Sequence, residues 1–429
     1  MQHAPSVWLT TANPAPQLPQ LDQGIQTDVA IIGAGYTGLA AAHHLRRAGV
    51  ACIVLEANDV GWGASGRNGG MAVLRYKKSW AALARELGRE RTRHLHRLLH
   101  QAVDLLEQTV DEYRIDCAFA RYGHITAANG KRALATLTAD AEWLAAEAGD
   151  RAPRMLDARE TADLTGTSCY LGGYLDPRAG GIHPLNYARG FAAGLSAAGV
   201  PIYVGTAVDT LREEASGGVV LETSNAVVRA KQVLVATNAY TDLREYGTDL
   251  SRRIVPVSTS VITTAPLPAS ALAAIVRERH LVSDTRHLLN YFRIAPGDRL
   301  LYGGRGSLTG RQSPEVYRGL EAKLRETFPA LAGVEIDHRW SGKVAVTLDD
   351  FPHVGRVSPR IAYAMGYGGR GVALTQLLGK MLAHLAMGEL NDPGPMNGGA
   401  FRPIPLHALR IPAMKAVAGY YRLLDGLRL

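Results

Sequence analysis

The feature that most constrains the fold is a glycine pattern placed between a strand and a helix. The run DVAII (28–32) is rich in β-branched residues, as is typical of a buried parallel strand. It leads directly into GAGYTG (33–38) and then into the helical stretch LAAAHHLRRAG (39–49). A second apolar strand, VACIVLE (50–56), ends on an acidic residue. This order of segments predicts a βαβ unit that binds a dinucleotide.

Each position of this pattern has a physical role in such a unit. Gly33 would make the tight turn, Gly35 would let the backbone reach a pyrophosphate at the helix N-terminus, and Gly38 would let helix and strand pack closely. The carboxylate of Glu56 would hold the ribose hydroxyls and would repel the 2′-phosphate of NADP. The alternative is a glycine-rich turn without a ligand. The motif by itself does not separate NAD from FAD.

A second glycine-rich loop, GWGASGRNGG (61–70), follows the second strand. Glycine loses more conformational freedom on folding than any other residue, so a loop this rich in glycine indicates that something large lies against its backbone. Its one arginine, Arg67, supplies a fixed positive charge of the kind that offsets a bisphosphate.

Taken together, DVAIIGAGYTGLAAAHHLRRAG, VLEA and GWGASGRNGG resemble the D-amino acid oxidase and glycine oxidase superfamily of FAD enzymes, in particular its γ-glutamylputrescine oxidase-like branch. The resemblance runs from about residue 28 to residue 388. It includes VGTAVDTL (204–211), LVATNAYT (234–241) and the turn GYGGRGV (366–372) before a long helical stretch. It implies that the dinucleotide is FAD.

The resemblance implies FAD contacts from four separated segments. The glycine turn at 366–372 would present its backbone N–H groups, and the positive N-terminal end of the helical stretch that follows it, to a reduced flavin. Covalently flavinylated relatives use a cysteine near the last substrate strand, and RWSGKVAVTLDDFPHVG (339–355) has none, so FAD is expected to be noncovalently bound. The implied contact residues are Gly33, Gly35, Tyr36, Thr37, Gly38, Glu56, Ala57, Ala64, Ser65, Arg67, Asn68, Gly69, Gly70, Val208, Thr237, Gly368, Gly369, Arg370, Gly371 and Val372.

The implied fold is α/β, with a discontinuous Rossmann-type FAD-binding domain and a second, α+β substrate domain built mainly on an antiparallel sheet. Alternating runs such as IVPVSTSVITT and NYFRIAPGDRLLYGG indicate strands of that sheet, with a turn at PGD (296–298). The expected boundaries are an N-terminal arm (1–27), FAD-binding segments (28–80, 175–245 and 346–390), a helical substrate insertion (81–174), the antiparallel sheet (246–345), and a linker with a C-terminal helix (391–429).

The resemblance implies oxidation of a C–N bond of an amine or amino acid to an imine, with hydride transfer to flavin N5. Tyr291, Arg293, His183 and Lys343 are the candidate catalytic or positioning residues. Tyr291 and Arg293 alternate along one predicted strand and so point to one face. Arg293 resembles the family's carboxylate-anchoring basic residue. An ion pair on the sheet surface is the alternative for Arg293, and a turn role before a proline is the alternative for His183.

The electron acceptor is left open by the sequence. Oxidases of this superfamily place a lysine beside the flavin to assist the reaction with O2, and the matching strand RLLYGG (299–304) has none. Lys343 is the candidate replacement. O2, with H2O2 as product, is the expected acceptor. A dehydrogenase that reduces a quinone or carrier protein, and a nucleotide-binding protein without catalysis, are the alternatives.

The net charge of +8 raises the question of nucleic-acid binding, but no recognition motif or stripe of aromatic residues among the basic ones is present. The basic run RELGRERTRHLHR (85–97) has leucines at helical spacing and predicts an amphipathic helix with a solvated face. His96 and His100 share one helix face, with no third ligand nearby in the sequence, so no metal is expected.

Localisation is inferred from cysteines and apolar runs. The three cysteines form no CxxC pair, the first residues do not read as a signal peptide, and no run of 18 or more apolar residues occurs. A reduced, cytoplasmic protein without a transmembrane segment is therefore expected.

Overall fold

The computed structural model describes residues 2–215, 217–241, 248–306, 314–389, 392–399 and 401–427. The strands are β1 (Ile25–Ile32), β2 (Cys52–Leu55), β3 (Met71–Ala72), β4 (His124–Ala128), β5 (Arg154–Leu156), β6 (Gly172–Asp176), β7 (Gly180–Gly181), β8 (Ile202–Tyr203), β9 (Val208–Glu213), β10 (Val219–Thr223), β11 (Val227–Val235), β12 (Val255–Thr264), β13 (Leu281–Asp284), β14 (Tyr291–Ala295), β15 (Arg299–Arg305), β16 (Ile336–Val346), β17 (His353–Arg356) and β18 (Ile361–Met365). The helices are α1 (Val7–Thr10), α2 (Tyr36–Arg47), α3 (Trp80–Leu87), α4 (Arg89–Glu112), α5 (Lys131–Glu147), α6 (Ala158–Thr165), α7 (Pro184–Ala197), α8 (Ala269–Ala274), α9 (Pro314–Thr327), α10 (Gly371–Ala386) and α11 (Arg410–Leu427).

The first large sheet has the order β17-β18-β11-β1-β2-β8, and β9 and β10 extend it from β11. Strand β1 pairs in parallel with both β2 and β11, so Ile31 lies opposite Val54 on one side and Leu234 on the other. Helices α2 and α10 pack against each other beside this sheet, where Gly379 lies close to Ala40. The predicted Rossmann-type arrangement is confirmed.

The second large sheet has the order β16-β12-β15-β14-β13-β4-β6-β5. Its neighbouring strands pair antiparallel except for β13 and β4, which are parallel. The predicted turn between β14 and β15 is formed, with positive φ at Gly297 and Asp298. The expected second, mainly antiparallel sheet is therefore present.

The segment 81–174 was expected to be a helical insertion, and it also supplies strands. It contributes α3 to α6, but β4, β5 and the first part of β6 join the second sheet. These strands have three to five residues, too few for an alternating pattern to distinguish them from loops. The boundary expected at 245 and the first linker residue, 391, lie outside the described residues, and the domain limits stay a prediction.

Helix α1 of the N-terminal arm packs against the second sheet and the start of α7. Trp8 of α1 is fully buried, with its ring 6.5 Å from that of Trp340 and 5.0 Å from that of His183. Strands β3 and β7 form a separate two-stranded antiparallel sheet, in which Met71 lies opposite Gly181.

Within the described residues, we find no helix with the length and apolar character to cross a bilayer.

Candidate active site

The turn between β1 and α2 has the geometry that the glycine pattern requires. Gly33 has a φ of +107°, and its N–H donates to the carbonyl oxygen of Leu55 at 2.8 Å. A Cβ on Gly38 would collide with the carbonyl oxygen of Gly33, so only glycine lets α2 cross β1 this closely. Helix α2 starts at Tyr36, whose N–H donates to the Oγ of Ser65 at 3.0 Å. The glycine-rich loop thus meets the N-terminus of α2.

Glu56 follows β2 and faces this turn. One of its carboxylate oxygens accepts from the N–H of Ala34 at 2.8 Å, and the other accepts from the N–H of Asn58 at 3.0 Å. Burial raises the pKa of Glu56, although both hydrogen bonds oppose that shift. Because each carboxylate oxygen has a second lone pair, the group can still accept hydrogen bonds from ribose hydroxyls.

The glycine-rich loop (61–70) is held in shape by the side chain of Asn68. Its Nδ2 donates to the carbonyl oxygens of Ala64 and Ser65, each at 3.0 Å, and its Oδ1 accepts from the N–H of Gly70 at 2.8 Å. The hydrogen bonds of Asn68 therefore fix the conformation of the loop backbone without the help of a ligand.

Two tryptophans fix the same loop from outside, and the sequence analysis missed both. The Nε1–H of Trp8 donates to the carbonyl oxygen of Asn68 at 2.8 Å, and that of Trp340 donates to the carbonyl oxygen of Arg67 at 2.9 Å. A buried indole N–H requires a partner, and these tryptophans find it on consecutive loop residues. The local signal for Trp8 is the apolar run Val7-Trp8-Leu9 in an arm rich in proline and polar residues.

Arg67 lies at the edge of the loop. Its Nε donates to the carbonyl oxygen of Trp62 at 2.7 Å, and its guanidinium lies 4.5 Å from the centroid of that indole ring. Its Nη1 reaches the carbonyl oxygen of Ser341 at 3.4 Å. A guanidinium has five donors, so the contacts of Arg67 with the described residues leave N–H groups for an anionic ligand.

Tyr291 and Arg293 reach the glycine-rich loop from β14 of the second sheet. The Tyr291 ring covers its cross-strand partner Gly303 and also Gly69, where an added Cβ would lie only 2.7 Å from the ring. The Nη1 of Arg293 donates to the carbonyl oxygen of Gly70 at 2.6 Å and to that of Ile182 at 3.1 Å. The structure thus brings these two candidates to the loop predicted to hold the cofactor.

Arg293 is a buried cation, with 6% of the residue exposed. Among the described residues, no carboxylate forms an ion pair with it, and its recorded hydrogen bonds go to backbone carbonyl oxygens. Burial lowers its pKa to about 10. The surface ion pair considered from the sequence is therefore not formed by this part of the chain.

His183 is the N-cap of α7, and both of its ring nitrogens are engaged. Its Nδ1 accepts from the N–H of Asn186 at 3.1 Å. Its Nε2 lies 3.0 Å from the Oγ1 of Thr11, which donates to the carbonyl oxygen of Val7. Nε2 must therefore carry the proton. Burial lowers the pKa of His183 to about 4. This geometry agrees with the alternative turn role, and a role in the substrate pocket stays a prediction.

Lys343 lies on β16 and is exposed. Its backbone N–H donates to the Oη of Tyr240 at 3.1 Å, and its Nζ lies 5.6 Å from the centroid of the Tyr240 ring. The preceding residue, Gly342, lies against the side chain of Arg67. Lys343 thus belongs to a strand that contacts the loop, while its ammonium group points to the Tyr240 face.

The turn before α10 joins the last segment to the first. The N–H of Gly366 donates to the Oδ1 of Asn238 at 3.0 Å, and the Oη of Tyr367 lies 2.8 Å from the Oγ1 of Thr37. Arg370 is the N-cap residue of α10, and burial lowers its pKa to about 10. Added Cβ atoms on Gly368 and Gly369 would meet nothing within 4 Å, so this turn borders open space.

The other predicted FAD contacts lie around these segments. Ala57 is exposed beyond β2, Val208 is the first residue of β9, Thr237 contacts Thr241 after β11, and Gly371 and Val372 begin α10. Of the segment VGTAVDTL (204–211), the part from Val208 onward belongs to β9.

Comparison with known proteins shows the family to which the chain belongs. The family model described as FAD dependent oxidoreductase matches residues 28–385. The chain belongs to this family.

Two relatives agree with that assignment, and two solved structures share the fold. The chain is 35% identical to gamma-glutamylputrescine oxidoreductase of Escherichia coli over 429 residues, which covers 99% of each chain. It is 31% identical to the probable oxidoreductase OrdL of Haemophilus influenzae, with 100% and 98% covered. Glycine oxidase from Geobacillus kaustophilus shares the fold with a TM-score of 0.73 at 22% identity, covering 89% of this chain and 99% of that one. L-proline dehydrogenase from P. horikoshii also has a TM-score of 0.73, at 20% identity, with 88% and 96% covered.

The predicted resemblance and the FAD cofactor are therefore confirmed, and the protein is an FAD-dependent oxidoreductase of the amine and amino-acid oxidase type. The residues present fit this cofactor. The β1–α2 turn offers backbone approach and a helix N-terminus, Glu56 offers acceptors for ribose, and the glycine turn before α10 borders open space at Gly368 and Gly369. How each predicted residue contacts FAD stays a prediction.

Proposed function

We propose that this oxidoreductase oxidises the C–N bond of an amine that also carries a carboxylate, and that O2 accepts the electrons. The observation on which the substrate class rests is the buried guanidinium of Arg293, which has carbonyl oxygens but no carboxylate as partners among the described residues. Burying an uncompensated charge costs several kcal/mol, about the scale on which a substrate carboxylate would compensate it. The same side chain touches the loop assigned to FAD.

The residues around Arg293 suggest how the substrate is positioned. Tyr291 lies two residues away on the same face of β14 and covers Gly69, so its ring can exclude water from the space beside the loop. Arg293 would fix the carboxylate and thereby orient the amine. Bound FAD would supply the hydride acceptor, and the resulting imine would be hydrolysed by water.

The relative from Escherichia coli supports a narrower substrate class. Its name specifies gamma-glutamylputrescine, a molecule that has a free carboxylate at one end and a primary amine at the other. A γ-glutamylated polyamine satisfies both requirements, a carboxylate for Arg293 and an oxidisable C–N bond. We propose this class as the first to test.

The alternative is a dehydrogenase that passes electrons to a quinone or a carrier protein. It is favoured by α11, whose apolar residues Val417, Tyr420 and Leu423 are 46%, 59% and 60% exposed. Arg422 on the same helix is exposed as well. A helix with apolar and basic residues in solvent suits contact with a membrane surface or an acceptor protein.

Anaerobic reduction of the flavin tests the proposed substrate class. The FAD-loaded protein is mixed without oxygen with γ-glutamylputrescine, putrescine, N-methyl amines and amino acids, and bleaching of the flavin absorbance is followed. Bleaching at the lowest concentrations by amines with a carboxylate supports the proposal. Faster bleaching by putrescine, or no bleaching by any acidic amine, contradicts it.

The acceptor is tested with the best reducing amine from that panel. Stoichiometric H2O2 formation in air supports the oxidase. Negligible H2O2, together with fast reduction of a dye or quinone, identifies the dehydrogenase instead.

We further propose that the protein works in the cytoplasm. The support is that Cys52, Cys117 and Cys169 are all free thiols, two of them buried, as in a reducing compartment.

A further inference from the structure

A cluster of three side chains lies outside the candidate active site. His96 and His100 project from one face of α4, and Asp150 lies in the loop after α5. The Nε2 of His96 is 2.8 Å from the Oδ2 of Asp150 and 3.0 Å from the Nε2 of His100, and the Nε2 of His100 is 3.7 Å from the Oδ2 of Asp150. No third ligand stands near the two histidines in the sequence, and Asp150 is 50 residues from His100 in the chain.

Protons alone do not satisfy these contacts for neutral histidines. If His96 carries its proton on Nε2 and donates to Asp150, the Nε2 of His100 has no hydrogen directed at it. If His100 donates to His96, the lone pair of His96 faces the carboxylate of Asp150. If both Nε2 atoms are protonated, both hydrogens can be directed only at the carboxylate of Asp150, and the 3.0 Å contact between the two nitrogens is left without a hydrogen bond. Two imidazole nitrogens and one carboxylate oxygen, all within 4.8 Å of one another, are instead a donor set that suits a cation.

The spacing of the three atoms fits a transition-metal ion. Zinc lies about 2.0–2.2 Å from histidine nitrogens and carboxylate oxygens, which places tetrahedral ligand atoms about 3.3 Å apart. The observed separations of 2.8, 3.0 and 3.7 Å lie on both sides of that value. The side chain of His100 is 24% exposed, whereas those of His96 and Asp150 are 12% and 7% exposed. Water can therefore complete the coordination from the side of His100.

Arg178 orients Asp150 without using up its ligand capacity. It donates to Oδ1 at 3.0 Å and to Oδ2 at 2.7 Å. Oδ2 has a second lone pair, and this oxygen lies 2.8 Å from the Nε2 of His96. A ligating carboxylate is commonly held by such an outer hydrogen bond, although the positive charge of Arg178 lowers the affinity for a cation.

We propose that His96, His100 and Asp150 form a binding site for a divalent transition-metal ion, with zinc as the reference ion, that fastens α4 to the loop after α5. Two imidazoles and one carboxylate suit Zn²⁺, Cu²⁺ or Ni²⁺ better than Mg²⁺ or Ca²⁺, which prefer oxygen ligands. This site is independent of the flavin and of the proposed substrate.

The test uses FAD-loaded protein without a histidine tag, treated with a chelator and then titrated with Zn²⁺ by calorimetry. Bound zinc is also measured by atomic emission after dialysis. We expect about one zinc per chain and a higher melting temperature with zinc. In His100→Gln and Asp150→Asn, the zinc affinity should fall at least tenfold. Unchanged flavin absorbance shows that these variants are folded.

His94→Ala is the matched control, because His94 lies on the same helix but contacts the backbone of Asp392 instead. It should bind zinc as the unchanged protein does. Absence of zinc binding to the unchanged protein would overturn the proposal. Equal losses in His94→Ala and His100→Gln, or none in either, would overturn it as well. If His100→Gln does not fold, Asp150→Asn against His94→Ala decides the question.

Discussion

Arg293 donates a 2.6 Å hydrogen bond from its Nη1 to the carbonyl oxygen of Gly70, and this contact joins the second sheet to the glycine-rich loop. Arg293, which is predicted to bind the substrate carboxylate, therefore also holds Gly70, which is predicted to contact the cofactor. Tyr291 repeats the relationship two residues earlier, against Gly69. Substitutions on the second sheet should consequently affect flavin binding as well as substrate binding.

Replacement of Arg293 should discriminate between acidic and uncharged substrates. In Arg293→Ala, the apparent affinity for an acidic amine should fall at least tenfold, which corresponds to about 1.4 kcal/mol, because a buried charge-assisted contact is lost. An uncharged analogue should be affected much less. The measurement is the concentration dependence of anaerobic flavin bleaching. Arg293→Lys keeps the charge but not the planar fork, so its affinity for the acidic amine should lie between those of the unchanged protein and Arg293→Ala. Equal losses for both substrates would show that Arg293 only supports the loop.

Glu56 should be required for tight FAD binding. Glu56→Gln keeps the shape but loses the charge and one acceptor oxygen, so binding should weaken by about 1.5–3 kcal/mol, the range for hydrogen bonds to charged groups. FAD affinity is measured by fluorescence titration of the apoprotein. Asp59→Asn is the control, since Asp59 is close in sequence but pairs with His3. Unchanged affinity in Glu56→Gln would exclude Glu56 as the ribose ligand.

FAD should be released intact when the protein is precipitated by acid or heat. No cysteine lies in the segment 339–355, and among the described residues Cys52 and Cys117 are buried, with Cys169 exposed. Absorbance of the supernatant measures the released flavin. Fluorescence that stays with the denatured polypeptide on a gel would contradict noncovalent binding.

The stability of the protein should decrease in mild acid through His183. Its pKa is lowered from 6.5 to about 4 in the folded chain, so the unfolded chain binds the proton first as pH falls. Between these values folding loses about 1.4 kcal/mol for each pH unit. His183→Asn keeps a side chain that can cap α7 but does not titrate. Its free energy of unfolding, measured by denaturant titration from pH 7 to pH 4, should depend less steeply on pH. An equal slope in both proteins would show that His183 does not contribute.

The sequence by itself determined the parts of the site that are continuous along the chain. Strand β1, its turn, α2, β2 and Glu56 follow one another within 32 residues, from 25 to 56, and Gly38 is required by the carbonyl oxygen of Gly33, five residues before it. The antiparallel strands around PGD could be predicted for the same reason, since alternation and turn chemistry are local properties. The composition of the glycine-rich loop likewise predicts that a ligand lies against it, and this stays a prediction.

Only the tertiary structure decided which distant residues meet. Arg293 and Gly70 are 223 positions apart, and Trp8 and Asn68 are 60 apart, so neither contact leaves a period or spacing in the sequence. The same holds for Asp150, which completes the cluster with His96 and His100 only because the loop after α5 folds against α4. These contacts depend on how two sheets and their helices pack, and burial then sets the pKa values of Arg293 and His183. Local patterns encode elements, whereas the partners of buried polar groups are chosen by packing.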